Sequence, residues 1–349
     1  MIKWIKPIIL VALVGSPFAN EKEGIQLKGD FRYRHELTAK EGAPQRNRER
    51  VRARVSLKGQ VNEQIKAVVG LATGGSDPLS TNQTLSGNFS TKGIQLDKAF
   101  ITYENGPIEL QLGKMKNPLA KAGKSELIWD GDVTPEGAAL GITFKPLFVN
   151  LASFWIKEDK SSSEDLFLYS GQAGAKATLS SLKVLAGIGY HSFANIKGAS
   201  SIHYKNKSMG NSLDTAGLYL NDYNLIEVFG SVKIPSALPV NLFVHLVKNL
   251  GASEDGLGWT GGASLGKVKK PGSWSAKASW KQVEKDAVIG ALTDSDFIGG
   301  GTDGSGLEAS VAVGVLPKTK LQLSYFLNQI KLTDGKSYHK VQADASVKF

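Results

Sequence analysis

The sequence contains no cysteine and no long apolar run, and both absences limit what the chain can be. Without cysteine there are no disulfide bonds, no thiolate ligands for a metal ion and no thiol for a lipid anchor. No stretch of eighteen or more apolar residues occurs, which excludes a helix that crosses a membrane. The five histidines are scattered, and none has the paired spacing of a metal site, so neither a metal nor a cofactor is predicted.

Two alternating stretches near the N-terminus carry the main structural signal. From Ile25 to Leu37 the odd positions are mostly apolar and the even positions are charged or polar, and the same pattern returns from Val51 to Val61. A period of two places successive side chains on opposite faces of a β-strand. A soluble sandwich would cover the apolar face with a second sheet. A membrane barrel turns it to lipid and turns the charged face into a watery lumen.

Sixteen strands are predicted, with no comparable helical pattern between them. They span residues 25–38, 47–61, 65–73, 95–104, 107–116, 138–145, 148–157, 166–179, 182–193, 223–234, 240–250, 259–268, 274–284, 306–316, 319–331 and 338–349. Residues 95–104 fit either of two registers. The connections alternate between short turns rich in Gly, Pro, Asn and Asp and long loops. This alternation predicts an all-β, transmembrane, antiparallel, up-and-down β-barrel of about 16 strands with tight periplasmic turns and long outer loops.

The N-terminus is predicted to be a secretory signal peptide over residues 1–19, followed by the barrel over residues 20–349. Lys3 and Lys6 precede an apolar run, and small residues follow it up to Ala19. Removing Lys3 and Lys6 with the signal peptide lowers the net charge from +10 to +8. A chain this basic could bind nucleic acid. Export, and the spread of the charge along alternating strand faces, argue against that partner.

The last predicted strand ends in an aromatic residue on its apolar face. Steps of two back from Phe349 give Val347, Ala345, Ala343 and Val341, which alternate with polar residues. A closing strand of this kind resembles the assembly signal of bacterial outer-membrane barrels. The resemblance implies the barrel assembly machinery as a partner, and Phe349 is predicted to face lipid.

The segment 97–137 adds a set of short sequence motifs. It contains Asp97-Lys98-Ala99-Phe100-Ile101, Gly113-Lys114-Met115-Lys116-Asn117-Pro118, Trp129-Asp130-Gly131-Asp132 and Pro135-Glu136-Gly137. With these motifs the mature chain resembles the Gram-negative outer-membrane porins, and the putative porin family in particular. The resemblance implies an outer-membrane location in contact with lipid and lipopolysaccharide, passive diffusion of small hydrophilic solutes, and assembly as a homotrimer. It also implies that the long third outer loop, residues 117–137, folds into the lumen and narrows it.

Fixed charges of both signs are predicted to form the narrowest part of the pore. The inward arginines are Arg32, Arg34, Arg48, Arg50, Arg52 and Arg54, and the third-loop carboxylates are Glu126, Asp130, Asp132 and Glu136. If the loop folds inward, the two rows face each other across the channel, and their transverse field disfavours apolar solutes. The alternative is that the carboxylates pair with lysines of the outer loops. The excess of positive charge predicts a weak anion preference.

These features predict a non-enzymatic diffusion porin, and three alternatives remain open. A solute-selective channel, for example for phosphate or carboxylates, would show saturable flux at a defined binding site. A barrel enzyme would need a convergent Ser/His or Asp/His set at the outer rim, which the sequence does not reveal. A structural or adhesive barrel would have a plugged lumen.

Overall fold

The computed structural model describes residues 24–158 and 164–349, so the predicted signal peptide lies outside the described residues. The strands in this part of the chain are β1 (Ile25–Lys40), β2 (Arg46–Gln60), β3 (Ile65–Thr73), β4 (Gln83–Thr84), β5 (Ile94–Asn105), β6 (Ile108–Lys114), β7 (Glu136–Phe144), β8 (Leu147–Lys157), β9 (Leu166–Leu179), β10 (Leu182–Ala194), β11 (Tyr223–Ile234), β12 (Val240–Asn249), β13 (Leu257–Gly266), β14 (Trp274–Val283), β15 (Gly304–Leu316), β16 (Thr319–Ile330) and β17 (Lys336–Lys348). Two short 3₁₀ helices, Ala122–Lys124 and Phe297–Gly299, lie in loops. None of the helices among the described residues has the length and apolar content needed to span a membrane.

The strands form one antiparallel sheet that closes on itself. β1 pairs with β2 on one side and with β17 on the other. The two-residue strand β4 pairs with β2 inside the loop between β3 and β5, and the other sixteen strands form the barrel wall. Closure pairs both edge strands of the sheet. The predicted sixteen-stranded, up-and-down β-barrel is therefore confirmed.

The two faces of the wall differ as the alternating pattern predicts. Large apolar side chains such as Leu57, Trp274 and Leu323 are exposed on the outside, while their sequence neighbours point inward and are polar. Because lipid is the solvent of the outer face, this exposure is what a membrane barrel requires.

The ambiguous register of residues 95–104 has a structural cause. The pairing of β3 with β5 shifts by one residue around Asp97, which forms a β-bulge. One extra residue moves the outward position from even to odd numbers. Leu96, before the bulge, and Ile101, after it, are therefore both exposed. Each of the two predicted registers applies to one part of the strand.

The C-terminal residue is built into the seam that closes the barrel. The backbone N–H of Phe349 donates to the carbonyl of Gly29 on β1, and the N–H of Gly29 donates to the carbonyl of Phe349, both at 3.1 Å. The phenyl ring lies outside the barrel over Gly29, where an added Cβ would overlap it. The missing side chain of Gly29 thus makes room for the ring, and Phe349 faces outward.

An apolar cluster occupies one side of the interior. The third outer loop spans residues 115–135 in the structure, and it contributes Leu127 and Trp129 to this cluster. The loop 284–303 contributes Val288 and Ile289. These side chains pack against inward-facing wall residues such as Leu225. Burial of these side chains fixes the two loops to the wall, because it removes their apolar surface from water. The polar inward faces of β1, β2, β16 and β17 lie beside the remaining open space.

Candidate pore-lining site

The six predicted arginines lie on the inward faces of β1 and β2. The register places Arg32 opposite Arg52 and Arg34 opposite Arg50. Like charges directly opposite each other on neighbouring strands are destabilising. This row therefore needs carboxylates nearby.

Asp30 and Asp132 compensate the part of the arginine row nearest the short turns of the barrel. Arg52 and Arg54 donate to the two carboxylate oxygens of Asp30 on β1 at 2.8 and 2.9 Å. Asp132 of the loop 115–135 lies 3.4 Å from the guanidinium of Arg54 and 3.9 Å from that of Arg52. The loop thus reaches the arginine row at Asp132.

Glu36 compensates the outer part of the row. Its carboxylate is fully buried and pairs with Arg48 and, at 3.4 Å, with Arg50. The amide of Gln342 on β17 donates to the same carboxylate at 3.2 Å. A buried carboxylate with three donors stays ionised because hydrogen bonds and opposite charges favour its charged form.

Asp344 and Asp296 hold the arginine at the centre of β1. Arg34 forms a bidentate pair with Asp344 of β17 at 2.6 and 2.8 Å, and its other nitrogen lies 3.5 Å from Asp296. Asp296, in the loop 284–303, also accepts from Lys340 at 2.9 Å. Although burial opposes ionisation, Lys340 and Arg34 hold the pKa of Asp296 well below its ordinary value. Arg32 lies beside this group, 3.7 Å from Asp344.

These contacts form one ion-pair network with an excess of positive charge. Seven cations against five carboxylates leave two net positive charges. The members are Arg32, Arg34, Arg48, Arg50, Arg52, Arg54, Lys340, Asp30, Glu36, Asp132, Asp296 and Asp344. The sequence-based site contained the arginines and Asp132 and missed the other members. Asp30 and Glu36 could have been found, because they occupy inward positions of the same strand as Arg32 and Arg34.

Glu126 and Asp130 of the third outer loop lie in a different group. Their carboxylates and that of Asp294 have oxygens within 4.8 Å of one another. Burial, and then the charges of Asp294 and Asp130, raise the pKa of Glu126 well above its ordinary value. Burial and Asp294 likewise raise the pKa of Asp130 to about 7. Lys281 on β14 pairs with Asp294. Oxygen ligands at this spacing are also those that Ca²⁺ prefers.

Glu136 lies away from both groups. The third outer loop ends at residue 135, so Glu136 is the first residue of β7 and not a loop residue. It pairs with Lys114 at 2.8 Å and stands opposite Trp155, whose side chain is exposed on the outer face. The structure therefore does not bring Glu136 to the arginine row, because the strand begins two residues earlier than predicted.

Two histidines that looked scattered in the sequence converge on one buried carboxylate. Nε2 of His191 and Nε2 of His245 lie 3.0 and 2.7 Å from the oxygens of Glu227 on β11. Nδ1 of each ring forms a hydrogen bond of 2.9 Å with a serine hydroxyl. The partner of His191 is Ser170 of the wall, and the partner of His245 is Ser125 of the third outer loop. We call this group the histidine anchor.

Gln172 extends the histidine anchor to a second point of the loop. Its amide NH₂ donates to Glu227 at 2.6 Å, and its amide oxygen accepts from the backbone N–H of Ala120 at 2.8 Å. The side chains of the anchor are buried, and each of them forms at least one of these hydrogen bonds. Partnered polar groups in a low-dielectric interior hold one geometry, because breaking any bond leaves a costly orphan. The anchor thus ties the third outer loop to β9, β10, β11 and β12.

Glu126 lines two cavities formed by the described residues inside the barrel. The outer cavity, about 990 Å³, is bordered by the arginine row and by the loops opposite it. The inner cavity, about 660 Å³, opens among the short turns and is bordered by Lys124, Lys281 and Lys320. The two cavities therefore meet at the third outer loop, between the histidine anchor on one side and the ion-pair network on the other.

A closed sixteen-stranded barrel with an apolar exterior, a charged interior and an inner loop defines the class of outer-membrane channel proteins. Within that class, the chain belongs to the family described as Putative porin, whose sequence model matches residues 18–221 and 241–349. No curated protein matches the sequence. Family membership makes this chain a porin of the Gram-negative outer membrane, where it forms a diffusion channel.

Solved porin structures share the fold at low sequence identity. The high-pH structure of Pseudomonas putida OprB has a TM-score of 0.65 and 10% identity, covering 94% of this chain and 95% of that one. Salmonella typhi OmpF in complex with daunomycin has a TM-score of 0.60 and 11% identity, covering 95% of this chain and 99% of that one. A loop L8 deletion mutant of Vibrio cholerae OmpT has a TM-score of 0.53 and 13% identity, covering 94% of this chain and 100% of that one. At these identities the likeness shows the fold.

Proposed function

We propose that this porin passes small hydrophilic solutes and ions with a weak anion preference, along a path between the third outer loop and the arginine row. The observation that carries the proposal is the ion-pair network, which has two net positive charges. Its members that border the outer cavity are Arg32, Arg34, Arg48, Arg50, Arg52, Lys340, Asp132 and Asp296. Fixed charge on the wall of a narrow, low-dielectric channel raises the local concentration of the opposite ion.

The proposed constriction has two sides of different character. The arginine row with Asp132 forms one side, and Glu126 and Asp130 form the other. The histidine anchor supports this proposal, since it would hold the loop at a fixed distance from the row. Glu136 is better placed for a role at the end of the barrel, where it pairs with Lys114.

Single-channel recording in a planar bilayer with asymmetric KCl tests both parts of the proposal. A reversal potential of the sign for chloride preference, with conductance typical of a water-filled pore, is the expected result. Cation preference would contradict the assignment of the network to the permeation path. A folded barrel with no conductance would favour a plugged structural or adhesive barrel.

The remaining parts of the proposal concern assembly. The porin would act without enzymatic activity, as a homotrimer in contact with outer-membrane lipid and lipopolysaccharide, after removal of residues 1–19. The barrel assembly machinery would recognise the closing strand, and the position of Phe349 in the seam supports this. Chemical cross-linking of the purified protein tests the trimer, and N-terminal sequencing of the mature protein tests the cleavage.

A further inference from the structure

The inner cavity is strongly basic. Nine lysines and three carboxylates border it. Two of those carboxylates are already used, because Glu308 pairs with Lys277 at 3.2 Å and Asp294 pairs with Lys281. Within the described residues, Lys124, Lys320 and Lys348 form no ion pair. The cavity therefore holds ammonium groups whose charge the wall does not balance.

These three lysines come together from three elements. Lys124 ends the 3₁₀ helix of the third outer loop, Lys320 lies at the start of β16, and Lys348 ends β17 beside it. The charges of Lys124, Lys348 and Arg32 all act on Lys320. Asp344 is also near, but its carboxylate is held in the bidentate pair described above. Such a cluster of like charges is unfavourable unless an anion shares the site.

Polar groups without charge complete the cluster. The amide oxygen of Gln322 accepts from Nζ of Lys320 at 2.7 Å, and this bond holds the ammonium group at the border of the cavity. Ser346 stands directly opposite Lys320 in the pairing of β16 with β17, and both it and Gln322 border the same cavity. The amide NH₂ of Gln322 donates to Ser324 at 3.1 Å, so Gln322 orients Lys320, and the ammonium groups and the Ser346 hydroxyl supply the hydrogen-bond donors.

We propose that Lys124, Lys320 and Lys348, with Ser346 and Gln322, form a subsite for multivalent oxyanions such as phosphate at the periplasmic side of the constriction. The inference rests on the proposed function, since it needs an anion path through the barrel. A doubly charged oxyanion gains twice the Coulomb attraction of chloride from each lysine and offers several oxygens to the donors. The subsite would therefore hold phosphate while chloride passes.

Competition between phosphate and chloride tests the subsite. Chloride current through the wild-type channel is recorded in a planar bilayer while inorganic phosphate is added on the periplasmic side. We expect a saturable fall in current at millimolar phosphate, and a smaller fall when nitrate replaces it at the same ionic strength. Sulfate should act like phosphate if the site reads charge and oxygen geometry. A lack of effect by sulfate would contradict the proposed recognition of multivalent oxyanions.

The matched variants separate a built site from a generally positive mouth. The double variant Lys124→Gln, Lys320→Gln should raise the half-blocking phosphate concentration about threefold to tenfold, given the usual strength of partly exposed charge pairs. Lys269→Gln, Lys270→Gln removes the same charge from a turn of the same cavity and should leave that concentration within about twofold. The single variant Lys124→Gln, on an exposed loop residue, serves if the double variant does not fold.

The possible outcomes are distinct. If Lys269→Gln, Lys270→Gln raises the half-blocking phosphate concentration as much as Lys124→Gln, Lys320→Gln does, the block reflects a diffuse surface potential and the subsite is overturned. An anion-preferring channel that phosphate blocks no more than nitrate does would overturn the subsite alone. A channel with no anion preference would contradict the proposed function, and the subsite with it.

Discussion

The double variant Arg52→Ser, Arg54→Ser should turn the part of the constriction around Asp30 and Asp132 from neutral to negative. In the wild type these two guanidinium groups balance Asp30 and Asp132, with contacts between 2.8 and 3.9 Å. The variant keeps both carboxylates and removes both counter-charges. It also replaces two long side chains by short hydroxyls, so the path beside the loop becomes wider.

The size of the selectivity change follows from Coulomb's law. A permeating ion on the order of 7 Å from each guanidinium in water interacts with it by about 0.6 kcal/mol before screening. At 0.1 M salt the Debye length of about 10 Å leaves roughly half of this value. Losing two charges then disfavours chloride by about 0.6 kcal/mol and favours potassium equally, which shifts their permeability ratio about sevenfold. At 1 M salt, where the Debye length is about 3 Å, the shift should be below about twofold.

The assay is the reversal potential in a KCl gradient, measured at low and at high salt on the same preparations. Lys40→Ser, Arg46→Ser is the matched control, because it removes two charges from exposed positions at the outer end of the same cavity. This control should shift the permeability ratio of chloride to potassium less than Arg52→Ser, Arg54→Ser does. Equal shifts in the two variants, or an unchanged channel in Arg52→Ser, Arg54→Ser, would refute the placement of the arginine row on the permeation path.

Four further predictions follow from other parts of the structure. Because the pKa of Asp130 is about 7, anion preference should fall as pH rises from about 5 to 8, and Asp130→Asn should remove most of that change in reversal potential. Protonated Asp130 also contributes stability that is complete below its unfolded pKa near 3.8 and is lost as pH rises through about 7, which unfolding midpoints at several pH values would reveal. Deleting Phe349 removes two backbone bonds from the seam and should lower the yield of heat-modifiable, folded barrel; wild-type yield would contradict this. Ser125→Ala and Ser170→Ala each remove one bond of the histidine anchor and should cost roughly 1–3 kcal/mol of stability. Ser125→Ala also removes the bond that Oγ of Ser125 accepts from the backbone N–H of Leu127 at 3.2 Å. Only Ser125→Ala should increase single-channel current noise, because only Ser125 belongs to the loop; equal noise in both variants would argue against the anchor's role.

The barrel could be predicted from sequence because its signal is local. Alternation between residues two apart depends only on the pleat of a strand, so runs such as Ile25 to Leu37 reveal both the strand and its two faces. The same reasoning placed Phe349 on the outer face. Where it failed to choose a register, around Asp97, a bulge had changed the pattern within one strand.

The candidate site was predicted only in part because its partners come from distant parts of the chain. Asp344 is 310 residues from Arg34, and Asp296 is 262 residues from it. No spacing rule connects such positions. The closure of β17 onto β1 brings the first to Arg34, and the packing of the loop 284–303 brings the second.

The sequence by itself determined the barrel, its lipid-facing surface and the row of arginines inside it, since each follows from the period of two along a strand. The tertiary structure decided which carboxylates neutralise that row, and it joined His191, His245 and Glu227 into one anchor. It also separated Glu136 from the loop to which the alternating pattern had assigned it. The physical reason is that the path of a loop depends on where its apolar side chains find a wall to pack against. That wall is built by strands from distant parts of the chain, so no local pattern describes it.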